Sequence, residues 1–131
     1  MEVQTYRKRD AIILTVTDGI SFVGYCDVRI DRQTHIAVVG TLWGSIQSAG
    51  AMLDAMQPEL ERMGAEAVVT VMNHASAKWM LDSLLRRGYE CVDMSPDGRH
   101  VFEKRLPHMP RNRIAFLVGG GPEEPGELDT F

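Results

Sequence analysis

A chain of 131 residues with 44% apolar and 24% charged side chains has the size and composition of one globular domain with a sizeable core. A net charge of -4 and a pI near 5.5 argue against a general nucleic-acid binder, which would carry a basic face. No apolar run approaches the roughly 20 residues of a membrane helix, and two cysteines without a CxxC pair require no oxidising compartment, so cytoplasmic synthesis is expected.

In chain order, Arg7-Lys8-Arg9 reads as the solvated end of a strand. Residues 11 to 17 (AIILTVT) are a β-branched strand, Asp18-Gly19 is a hairpin turn, and residues 21 to 30 (SFVGYCDVRI) return as the second strand. Alternation places Phe22, Tyr25 or Cys26, and Val28 toward the core, and Gly24 marks a bulge or a close backbone approach. Asp31-Arg32-Gln33 turns the chain into a third strand at 35 to 41, completing an antiparallel meander.

A glycine-containing loop, GSIQSAG, leads into a helix whose stripe is Met52, Leu53, Met56, Leu60 and Met63. Pro58 predicts a kink, or a new turn beginning near Gln57, and Gly64 the stop. Val68, Val69 and Val71 mark the next strand, so this stretch is a βαβ unit. Ser76 reads as the cap of a second helix with Trp79, Met80, Leu81, Leu84 and Leu85 on its apolar face, stopped by Gly88. A closing hairpin follows, 89 to 94 and 100 to 105, turning at Ser95-Pro96-Asp97-Gly98. Residues 1–106 thus form one domain, and 107–131 a linker and acidic tail read as a docking segment for other protein chains. Cys26 and Cys91 read as small strand hydrophobes. The histidines at 35, 74, 100 and 108 lack ligand spacing, so no metal is expected.

This order, β-β-β, loop-helix, β, helix, β-turn-β, resembles that of the GCN5-related N-acetyltransferase (GNAT) family, from about Ala11 to Leu106. VTDGISFVGYCDV resembles its "dG-x-x-vGf" hairpin, Asn73 through RRGYE its "N…GF" segment, and DGRHVFEKRL its last hairpin. The resemblance implies an α/β (α+β) fold: a mixed twisted sheet with the family's two N-terminal helices missing before Ala11.

It also implies an acyl-CoA pyrophosphate cradle at Gln47, Ser48, Ala49, Gly50 and Ala51, with Met52 at the family's last small position, and a contact of Asn73 with the pantetheine arm. Val38 and Val39 stand where the family's glutamate base is often found, and Met80 or Leu84 where its tyrosine acid is. None can move a proton. His74 is the one substitute base in view, and a solvent-facing loop histidine is its plainer reading.

Short, motif-poor chains of this kind resemble GNAT-like internal virion proteins of tailed bacteriophages. The expectation is therefore a non-catalytic structural or interaction component of an assembly, a virion being one example, with no cofactor required. Trp43, Trp79, Phe116 and Phe131 are its candidate partner anchors, and a homo-oligomer is one form of assembly. The alternative is an acetyl-CoA-dependent N-acetyltransferase acting on a primary amine.

Overall fold

A computed structural model describes residues 1–107. The elements are β1 (Glu2–Lys8), β2 (Ala11–Asp18), β3 (Ser21–Asp31), β4 (Ile36–Gly44), α1 (Ile46–Arg62), β5 (Ala67–Met72), α2 (His74–Arg86), β6 (Glu90–Met94) and β7 (His100–Arg105). One seven-stranded sheet runs in the order β1-β2-β3-β4-β5-β7-β6. Every pairing is antiparallel except β4 with β5, the two strands joined through α1. It is a mixed α+β fold.

The meander has four strands, one more than expected. β1 pairs with β2 from Glu2↔Thr17 to Lys8↔Ala11, and its end is tied down where Arg7 Nε donates to Glu59 Oε1 of α1 at 2.6 Å. Only Val3 carries a clear apolar signal on its covered side, which is why periodicity misses the strand. Residues 9 and 10 alone link it to β2, so no helix intervenes there.

Phe22 is 66% exposed, contrary to the alternation. Val16 pairs with Gly24 but Thr17 with Phe22, so Val23 is an extra residue that flips Phe22 outward while Gly24, Cys26 and Val28 stay in. Gly24 is a close approach as well: a Cβ there would stand 3.0 Å from that of Ser48 on α1.

α1 runs unbroken through Pro58. The buried positions Met52, Leu53, Met56 and Leu60 lie on both sides of the proline, and their packing outweighs its cost of about 3 kcal/mol. Both helices end alike. Gly64 and Gly88 take positive φ (87° and 90°), and Ala65 and Tyr89 donate back to the carbonyls of Leu60 and Leu84 at 2.9 and 3.0 Å.

α2 is capped by Asn73, not Ser76. Asn73 Oδ1 accepts the N–H of Ser76 at 2.8 Å, so the helix already begins at His74 and Ser76 lies within its first turn. Met80 and Leu84 are buried, whereas Trp79, Leu81 and Leu85 are exposed, so the apolar face is narrower than expected. Cys26 is buried; Cys91 is exposed because β6 is an edge strand with neither face covered. The single core cluster, from Ile12 on β2 to Phe102 on β7, lies between the helices and one face of the sheet.

Candidate functional site

The parallel pair β4–β5 is in register only from Ile36↔Ala67 to Val39↔Thr70, and beyond that the strands part. A bulge starts the divergence. Val28 pairs with Val39 and Asp27 with Thr41, leaving Gly40 as the extra residue. Asp27 Oδ1 accepts the Thr41 N–H at 3.1 Å, its Oδ2 accepts the Tyr25 hydroxyl at 3.2 Å, and any Cβ at Gly40 would overlap that carboxylate. A side chain at 40 would therefore displace the Asp27 carboxylate from these two bonds. Desolvation, then the bond to Asp27, holds the Tyr25 phenol above its ordinary pKa.

The gap is a cleft of about 300 Å³. β4 contributes Val39 to Leu42 and Gly44, β5 contributes Thr70 to Met72, and Ala49, Asn73, Ser76, Trp79 and Met80 come from the helices and the α2 cap. It opens at the carboxyl ends of two parallel strands, where ligands commonly bind in open α/β sheets. Both helix N-termini lie at this edge, with matched caps: Ser45 Oγ accepts the Ser48 N–H at 3.1 Å as Asn73 Oδ1 accepts that of Ser76. The positive ends of two helix dipoles therefore flank the cleft.

The stretch expected to form a pyrophosphate loop is helix instead. α1 begins at Ile46 because Ser45 is a strong cap, which places Gln47 to Ala51 in its first two turns. Gln47 is exposed, Ser48, Ala49 and Gly50 are buried, Ala51 is half-buried, and Met52 is fully buried in the core. Of these, Ala49 alone lines the cleft. The N–H groups of Ile46 and Gln47 remain beyond the reach of intrahelical carbonyls, and no lysine or arginine lines the cleft. The cleft thus suits a narrow, uncharged chain such as a pantetheine arm, while residues 48 to 50 do not fit a diphosphate cradle.

Gly50 has another role that sequence reading missed. A Cβ there would stand 2.6 Å from Arg87 Nη2. The Arg87 guanidinium lies across the glycine, donating to Asp54 Oδ1 and Oδ2 of α1 at 2.8 and 3.0 Å and to Ser83 Oγ at 2.6 Å. Gly50 therefore lets α1 and the end of α2 approach. A glycine followed four residues later by an unpaired-looking aspartate was the available signal.

Proton-transfer groups are not found in the cleft wall. Val39 and Met80 line it, Val38 faces away, and Leu84 is fully buried. Asn73 also lines it, but its Oδ1 is engaged as the cap. His74 turns aside, its Nδ1 3.1 Å from Nε2 of His100. Trp43 is exposed at the end of β4, paired with Tyr25. Phe116, Phe131 and the rest of the 108–131 segment lie outside the described residues. Among the described residues no group of three or more His, Cys, Asp and Glu converges as a metal site would, and no helix is long and apolar enough to cross a membrane.

The fold is that of the GNAT acetyltransferases. The structure is similar to the GNAT domain of S. lividans PAT (20% identity, TM-score 0.62, covering 75% of this chain and 62% of that one). It is similar also to the aminoglycoside 6'-N-acetyltransferase from Enterococcus faecium (11%, 0.64, 79% and 77%). A third is the PaiA N-acetyltransferase from Thermoplasma acidophilum in complex with coenzyme A (12%, 0.63, 74% and 62%). No protein-family model and no curated protein matches the sequence.

Proposed function

We propose that this protein is a non-catalytic binding module of GNAT fold that serves as a component of a larger assembly. The observation that carries this reading is the chemistry of the cleft wall: its polar side chains are Thr41, Thr70, Asn73 and Ser76, and none of the lining residues is titratable near neutral pH. Exposed apolar side chains support an interaction role, with Trp79, Leu81 and Leu85 on α2 and Val92 and Met94 on β6. A tailed-phage virion is one such assembly, tested by whether the chain is found in purified particles.

The test for the cleft is a thermal melt with acetyl-CoA. Saturating ligand should raise Tm by several degrees if the cleft binds it. Without a diphosphate cradle at residues 48 to 50 no shift is expected, and a saturable shift would overturn that expectation.

A second reading, N-acetyltransferase acting on a primary amine, is favoured by one observation, the open cleft flanked by two helix N-termini. Here the chain would act by positioning alone. With no base in the wall, the amine would have to arrive neutral. The rate would then climb about tenfold per pH unit until the amine's own pKa, a profile distinct from the bell of an acid–base pair.

A further inference from the structure

Neither the cleft nor the core uses Cys91, His100 or His74, yet the fold brings these three side chains together near the β6 edge of the sheet. The meeting begins with a bulge. Met94 pairs with His100 and Asp93 with Val101, but Phe102 pairs with Cys91, so Val92 is an extra residue in β6. In regular register Val92 would stand opposite Phe102. The bulge puts Cys91 there instead, on the side of the sheet that carries the helices. β7 places His100 two residues before Phe102, on the same side, and pairs it with Met72 of β5. α2 starts two residues after Met72, so its first residue, His74, arrives beside His100.

The three side chains form a line of contacts. Cys91 Sγ lies 3.9 Å from His100 Nδ1, and His100 Nε2 lies 3.1 Å from His74 Nδ1. The His100 ring is half-buried and stacks on buried Phe102, with centroids 6.3 Å apart and planes 14° from parallel, which holds its orientation. One arrangement of protons satisfies both contacts: the thiol donates to His100 Nδ1, and His100 Nε2–H donates to His74 Nδ1. The Asp93 carbonyl, 3.5 Å from Cys91 Sγ, also accepts the thiol hydrogen, but only the imidazole can take it away. Cys91 is exposed, so its sulfur is open to attack a small molecule. A nucleophile, a base and a group that orients the base are the parts of an activated thiol.

We propose that Cys91 is a site of reversible S-thiolation by a small-molecule disulfide. His100 is its base, and His74 is the positioning residue that holds His100 in the required tautomer. His100 Nδ1 takes the thiol proton, and the Cys91 thiolate attacks one sulfur of the disulfide. A new S–S bond forms as the old one breaks, and the departing thiolate leaves with the proton from His100. Cys91 is oxidised and half of the disulfide is reduced, with no further reactant. The chain has one other cysteine, Cys26, which is fully buried in the core, so no internal thiol resolves the mixed disulfide. The adduct persists until an external thiol removes it. It stands on the same edge strand as the exposed Val92 and Met94, so the modification alters that surface.

The test is the rate at which the full-length protein reacts with oxidised glutathione at pH 7, read by intact mass and mapped to Cys91. The wild type should gain one glutathionyl group at least about tenfold faster than the free peptide of residues 90–94, where the same thiol has no imidazole. His100→Gln should fall to the peptide rate. His74→Leu should lose about threefold, while His74→Asn, whose Oδ1 replaces the acceptor at Nδ1, should keep the wild-type rate. A wild-type rate no faster than the peptide would overturn the proposal, and that comparison needs no variant to fold. An unchanged rate in His100→Gln would also overturn it and leave Cys91 an exposed thiol and no more. A Cys91–Cys91 dimer formed in place of the adduct would overturn it in favour of a second copy. Acetyl-CoA enters none of these readouts, so the outcome is separate from that of the proposed function.

Discussion

The two faces of the sheet differ in what each asks of the sequence. On the helix side, a close-packed core from Ile12 to Phe102 is set by alternation and by the α1 stripe, and two bulges, at Val23 and Gly40, correct the register where the helices approach. On the open side, apolar residues recur at Val38, Val69 and Val71 with no described element above them. Burial alone therefore does not distinguish the faces in the sequence; the location of the helices does. The cleft lies where the two meet, since its wall includes Val39 and Met80 from the covered side and Thr41 and Val71 from the open one.

The largest effect should come from the covered face. Phe102→Ala empties a site where the ring is 1% exposed and should cost about 3–5 kcal/mol, read by denaturant unfolding. Next is the helix contact. Gly50→Ala would gain up to ~1 kcal/mol of helix propensity but drives Arg87 off Asp54, so a net loss of about 1 kcal/mol is expected. In an Arg87→Ala background the same change should become stabilising, which a double-mutant cycle measures. Asn73→Ala removes the α2 cap and should cost about 1 kcal/mol, as should Ser45→Ala on α1. The smallest effect is expected at His35, whose φ of 61° is left-handed: His35→Gly should stabilise by a few tenths of a kcal/mol.

Cysteine chemistry separates the faces by pH. Burial, then the charge of Asp27, pushes the Cys26 thiol up to about 12, from an ordinary value near 9. The folded state thus holds this proton more tightly. Its contribution to stability is fully present below about pH 9 and is lost as pH rises toward 12. At pH 8 alkylation should mark Cys91 alone, and Cys26 only on unfolding.

Most of the architecture was legible because local rules agreed: β-branched runs, an Asp-Gly hairpin, the α1 stripe and two glycine stops all point to the same order of elements. Several features were not, and three of them show why. β1 has few apolar residues to reveal it, so it follows from pairing with β2 rather than from its own pattern. Phe22 was misplaced because a bulge leaves no mark in composition. The stretch 47 to 51 was read as loop and is helix, because Gly50 has two explanations, a phosphate turn or a helix contact, and the position of Arg87 in space shows the second. The apolar character of Val39 and Met80, by contrast, was readable from the sequence, and both line the cleft wall.

The central proposal is that the cleft does not catalyse acetyl transfer. Its most direct test is coenzyme A release from acetyl-CoA by the full-length protein, followed with a panel of primary amines between pH 7 and 9. The account predicts rates equal to the protein-free background at every pH. A saturable, amine-dependent rate that falls when Gly44 or Ala49 is enlarged to close the cleft would contradict it.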